Sequence, residues 1–134
     1  MNLMRLLAVV LLPVLAACSD GQTDAQQAAL IHEAMQSKVR YEVTGTTDMA
    51  SLTYETPTGT SQQSDIDIPM TIKDTGAHYL ELTFQSGAFV YISAQNSEDT
   101  GSVTCRITTD SGDVIAENTA SGAYAIATCK GTAP

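Results

Sequence analysis

The three cysteines of this 134-residue chain have the clearest chemistry to offer, and they stand in two different settings. Cys18 closes an apolar run, directly after Leu15-Ala16-Ala17. A thiol there is a nucleophile placed at the end of a membrane-seeking segment. Cys105 lies in "SVTCRIT", where Val103, Cys105 and Ile107 alternate with Thr104, Arg106 and Thr108. Cys129 lies in "AYAIATC" and shares a face with Ala125 and Ala127. Successive side chains of a strand point to opposite faces, so both of these thiols are expected to point inward. In an exported domain two such thiols form a disulfide. The bridge would close a loop of about 25 residues and contribute ~3.5 kcal/mol through unfolded-chain entropy. Two free buried thiols, or a metal pair, are the competing readings, although no His or further Cys lies close enough in sequence to suggest a zinc cluster.

The first cysteine depends on what precedes it. Residues 1–17 read as an export signal, with Arg5 as the positive start and Leu6 to Leu15 as the apolar stretch. That stretch is shorter than the ~20 apolar residues a spanning helix needs. Leu15-Ala16-Ala17-Cys18 resembles the bacterial lipobox. The resemblance implies a thioether-linked diacylglyceryl group on Cys18, cleavage after Ala17, and acylation of the new amine. Two or three acyl chains hold a protein to a membrane stably, at ~0.8 kcal/mol per buried methylene. The expected organisation is a signal at 1–17, a lipidated Cys18 with a tether to residue 38, and a folded domain at 39–134. The expected location is the cell envelope, on the extracytoplasmic side.

Six basic residues face fifteen acidic ones across the chain. Loss of the signal removes Arg5 and leaves a net charge of about −10. This argues against nucleic acid as a partner, which needs basic surface. No nucleophile motif, phosphate-binding loop, dinucleotide fingerprint or zinc-protease helix motif occurs, so no enzyme activity and no cofactor is expected. His32 and His78 sit in no metal-binding or catalytic spacing and read as solvated polar residues. Asp65 and Asp67 form a D-x-D that could begin a calcium site. The plainer reading is charge on the outside of an edge strand, where it blocks edge pairing. Glu98 and Asp99 in "NSEDTG" read the same way.

Residues 19–38 are rich in Gln, Ala, Ser and Asp. Thr23 and Gln26 have capping-box spacing, and Leu30, Ile31, Ala34 and Met35 share a helical face. A short helix and a disordered spacer are both consistent with this, since isolated helices of such length are marginal in water. From Val39 short alternating runs take over. They are "VRYEVTG", "SLTYET", "DIPMTIK", "YLELTF", "AFVYISAQ", "SVTCRIT", "DVIAE" and "AYAIATC", with turn-rich stretches between them. Seven or so short strands at this spacing predict an all-β antiparallel sandwich. "AFVYISAQ" is apolar on both faces and reads as a central strand. Gln95 and Asn96 end it, as candidate docking amides or as caps of the following turn.

"YEVTG", "LTY", "YISAQN", "VTCRI" and "GAYAIATC", in that order, resemble the extracytoplasmic domain of the small mycobacterial membrane protein family, MmpS. The likeness runs from about Val39 to Gly131. It implies an immunoglobulin-like sandwich and an accessory role beside MmpL-type RND transporters, which export lipids, siderophores or drugs. The chain departs from the family twice. A lipobox stands where members usually have a transmembrane helix, and Ile68-Pro69-Met70 stands where many have Leu-Pro-Trp. Met fills apolar space well, so the second change spares the fold.

Three functions compete. The first is an envelope lipoprotein that assists a transporter. The second is a stand-alone small-ligand or lipid-binding module, which would show an apolar cavity between the sheets. The third is a passive structural or adhesion domain. Fold alone does not separate them.

Overall fold

The computed structural model of the protein describes residues 23–134. Cys18 and the expected export signal at 1–17 lie outside the described residues. A helix, α1 (Asp24–Ala34), precedes eight strands: β1 (Gln36–Gly45), β2 (Met49–Thr56), β3 (Gly59–Asp67), β4 (Leu80–Gln85), β5 (Phe89–Asn96), β6 (Ser102–Thr109), β7 (Val114–Ser121) and β8 (Ile126–Thr132). They form two four-stranded antiparallel sheets, ordered β4-β1-β6-β7 and β3-β2-β5-β8. This is the expected sandwich, with eight strands where about seven were expected. No helix among the described residues is long and apolar enough to cross a membrane.

Alternation builds the core. Val39, Tyr41 and Val43 of β1 and Val103, Cys105 and Ile107 of β6 face inward from one sheet. Leu52 and Tyr54 of β2, Val90, Ile92 and Ala94 of β5, and Ala127 and Cys129 of β8 face them from the other. The sheets are joined covalently, because Cys105 and Cys129 form a disulfide with their Cα atoms 6.0 Å apart. As expected, β5 is central, lying between β2 and β8.

One expected strand is absent. The alternating "DIPMTIK" is not a strand, and the polar run Gly59–Asp67 takes its place in the sheet. Pro69 has no N–H to give a ladder and sits after a cis peptide bond. The apolar side chains that suggested a strand instead fold inward from a connecting segment, with Met70 buried and Ile68 packed on the core. The polar run needs only backbone pairing, since it is the edge partner of β2 in a tight hairpin. Two residues of β3, Ser64 and Asp65, oppose one of β2 in a bulge. Asp65 adopts φ 57° there, and both Asp65 and Asp67 are exposed on this edge. Bulges and charge both protect a sheet edge from further pairing.

Within the described part of the expected tether, Asp24–Ala34 is helical. The Thr23 hydroxyl accepts from Gln26 N–H, and the Gln26 side chain accepts from Thr23 N–H, which completes a capping box. None of the helix is buried, and Leu30, Ile31 and Met35 are all exposed. β1 begins at Gln36, ahead of the expected domain start at Val39, with its first residues paired to β4.

Candidate functional site

Strand directions set two poles. The N-terminus of β1 and the end of the chain meet at one of them, where the Ser37 hydroxyl donates to the Pro134 carbonyl. The helix leaves from this pole, and Ser86 N–H holds the Met35 carbonyl at 2.7 Å. At the other pole lie the loops 46–48, 97–101 and 122–125, together with the end of β3.

Asn96 organises that far pole. It is fully buried, at 0% exposure. Its amide donates to the Thr100 carbonyl at 2.7 Å and the Gly122 carbonyl at 3.0 Å. Its side-chain oxygen accepts from Glu98 N–H at 2.9 Å and lies 2.6 Å from the Thr47 hydroxyl. Three of the amide's four bonding positions are therefore filled within the chain, and the Thr47 hydroxyl stands at the fourth, its single proton shared with the Glu98 carboxylate. Asn96 thus ties three loops together as a clasp, and its side chain does not reach the surface. Gln95, next to it, is half-buried and points to the opposite face of the sheet. It donates to the Tyr124 carbonyl at 3.3 Å, so its amide also positions a loop.

Glu98 completes the clasp. Its carboxylate lies 2.7 Å from the Thr47 hydroxyl and accepts from Asp48 N–H at 3.1 Å. These bonds, the Thr47 one foremost, hold its pKa below the usual carboxylate range.

The clasp presents Tyr124. Its backbone sits at φ 53°, an uncommon conformation for a bulky residue. Tyr124 N–H donates to the Glu98 carbonyl at 3.0 Å, and Asn96 N–H donates to the Ala125 carbonyl at 2.9 Å. Tyr124 is 58% exposed, and Ile126, two residues on, is 55% exposed. Asp48, Asp67 and Asp99 are exposed on the same pole, and its loops contain no Lys or Arg. Sequence reasoning found the amides at 95–96 but missed the aromatic they support. The only signal was a turn-forming Ser121-Gly122 next to it.

The basic residues lie elsewhere. Lys38 and Arg40 both pair with Glu81, at 3.0 and 2.9 Å, and Arg106 pairs with Glu117 at 3.2 Å. Arg40 also stacks over the Tyr79 ring. The hydrogen bond from Arg40 and the one from Lys38 hold the Glu81 carboxyl low. These pairs neutralise the outer face of the first sheet.

A second feature lies at the side. Between edge strands β3 and β4 the two sheets leave a cleft of about 220 Å³. Tyr41, Tyr54 and Ile92 line its interior, and Ile66, Met70 and Leu80 form its walls. Burial pushes the Tyr41 hydroxyl up to about 12. Among the described residues no group of three or more His, Cys, Asp or Glu converges in a way that could hold a metal. His78 meets the Thr71 hydroxyl at 3.2 Å, and His32 meets the Gln36 amide at 3.1 Å.

No family model matches the chain, and no curated protein matches it.

Proposed function

We propose that the protein is an envelope lipoprotein that assists an MmpL-type RND transporter, held to the membrane through Cys18 and docking through its far pole. One observation carries this reading: the pole from which the tether leaves and the pole that presents Tyr124 and Ile126 are opposite ends of one cross-linked sandwich. A lipid at Cys18 would place the first pole at the membrane and the second away from it. Exposed aromatic and aliphatic side chains on a hydrogen-bonded loop and the strand that follows it have the character of interface anchors. The acidic residues around them favour a partner with basic character at its rim. The order of the MmpS-like sequence blocks supports a transporter as that partner.

The test is a photo-crosslinking amino acid at position 126, with the protein expressed in its native envelope. An RND transporter among the captured partners is the expected result, lost on Asp99→Lys with Asp48→Lys. Repeated capture without any transporter would sink the reading. Fatty-acid labelling separately tests the anchor: label in the wild type and none in Cys18→Ser is expected.

A further inference from the structure

The cleft between β3 and β4 is independent of the far pole, and its lining is that of a binding site for a small amphiphile. Its body is apolar, and at about 220 Å³ it holds roughly seven water-sized groups at ~30 Å³ each. A linear hydrocarbon of similar atom count fits that space. The rim carries the polar groups. Gln63 donates its amide to the Tyr54 hydroxyl at 3.0 Å. That fixes the hydroxyl as an acceptor of one bond, and among the described residues no acceptor takes its own proton. Lys73 stands at the same rim. Among the described residues Lys38, Arg40 and Arg106 are in ion pairs, whereas Lys73 and Lys130 are in none, and of these two only Lys73 borders the cleft. An uncompensated cation and an unused hydroxyl donor beside an apolar cleft, in a chain of net charge −9, favour a ligand that brings its own negative charge.

We infer that this cleft binds a free alkyl amphiphile of about seven carbons with an anionic head, its tail against Ile66, Ile72, Leu80 and Met70 and its head on the Tyr54 hydroxyl and the Lys73 ammonium. The segment that carries Met70 and Lys73 forms one wall. It is held on the sandwich by Met70 N–H donating to the Val43 carbonyl at 3.0 Å and by Ile68 N–H donating to the Asp48 carbonyl at 2.9 Å. The wall is therefore already in place before any ligand arrives, which spares the cost of ordering it on binding.

Methionine-methyl NMR reads this directly. Met70 lines the cleft, while Met35 and Met49 lie outside it and serve as internal references. The protein as isolated from the envelope, held in phospholipid nanodiscs, is titrated with octanoate, with octylammonium and with acetate. Octanoate should move the Met70 methyl saturably and leave Met35 and Met49 in place. Octylammonium should bind at least about fivefold more weakly, and Lys73→Glu should cost octanoate a similar factor, the scale of one exposed ion pair. Tyr54→Phe should weaken octanoate without moving the fold. An unmoved Met70 at millimolar octanoate would overturn the inference, and so would equal binding of the two charge types. Binding of octanoate that shifts Met35 as strongly as Met70 would overturn it as well. A transporter captured at position 126 leaves all of these outcomes open, so the two proposals fail separately.

Discussion

The two long edges of this sandwich are built differently. At the β7–β8 edge the sheets are shut. Cys105 and Cys129 cross-link them just inside it, and at its rim a side chain on Gly131 would place its Cβ 2.5 Å from Ile115 Cγ2. At the β3–β4 edge the sheets stand apart, and a connecting segment with Met70 partly fills the gap. The shut edge supplies stability and leaves no room for anything else. The open edge gives up packing and retains a cleft. In this molecule the residues that hold the fold and those that could meet a ligand lie on opposite sides.

The disulfide should dominate the shut edge. Cys105→Ala with Cys129→Ala should cost ~2–5 kcal/mol of stability, read from urea unfolding. Non-reducing mass spectrometry of the wild type should show the two cysteines joined. Free thiols in protein isolated without reductant, or no loss on their removal, would mean that packing alone shuts this edge.

The next effect belongs to the open side. Tyr41 is fully buried, and burial raises its pKa to about 12, the main cause of the shift. Only the neutral phenol suits the fold, so its share of stability is complete below the unfolded value of about 10. That share is lost as pH rises from there through 12. With water able to reach the cleft, the loss is at most ~2 kcal/mol. Unfolding midpoints should fall across that range in the wild type and fall less in Tyr41→Phe. Equal slopes would show that the phenol is well solvated.

Much of this contrast was hidden in the sequence. The alternation of Val39, Tyr41 and Val43, of Val103, Cys105 and Ile107, and of the β5 run was legible because those strands bury one face or lie centrally. Both bridging cysteines were legible for the same reason. β3 was not, because "GTSQQSDID" buries almost nothing and is held by backbone pairing to β2, which side-chain patterns do not report. Ile68, Met70 and Ile72 alternated like a strand because they fill an edge, and a period of two does not distinguish the two tasks. Asn96 was visible as a polar residue at a strand end. Whether it faced a partner or its own loops depended on residues as distant as Gly122. Tyr124 gave no signal beyond the turn-forming Ser121-Gly122 beside it, since its exposure is set by a loop conformation that only the clasp imposes.

Met70 tests how far the open edge contributes to folding at all. Truncating a buried Met to Ala usually costs ~2–5 kcal/mol. Here the side chain already borders empty space, so the loss should sit near the low end, at ~2 kcal/mol. Thermal unfolding of Met70→Ala would measure it. A loss as large as that of the cysteine pair would make the connecting segment a second staple and erase the distinction between the edges.

The smallest effects compare the edges most directly, by adding volume to each. Gly131→Ala places a methyl against Ile115, which must shift because the contact at 2.5 Å is closer than carbon atoms tolerate. Ile115 is β-branched and stiff at χ1, so it cannot simply rotate aside. It does lie on the edge strand β7, near the irregular pairing around Ile107 and Thr108, where the backbone has some room to give. The expected cost is therefore ~1 kcal/mol, the low end for overpacking. Ile72→Phe adds more volume, but into the cleft. Nothing there must move, and the buried ring area offsets its lost rotamer freedom, so stability should change by less than ~0.5 kcal/mol. Urea midpoints of both variants, at unchanged m, give the comparison. Equal costs would mean that the cleft closes in solution and the two edges pack alike. A cost confined to Gly131→Ala would mean that the cleft is open space, and the same Ile72→Phe protein should then lose its response to octanoate at Met70.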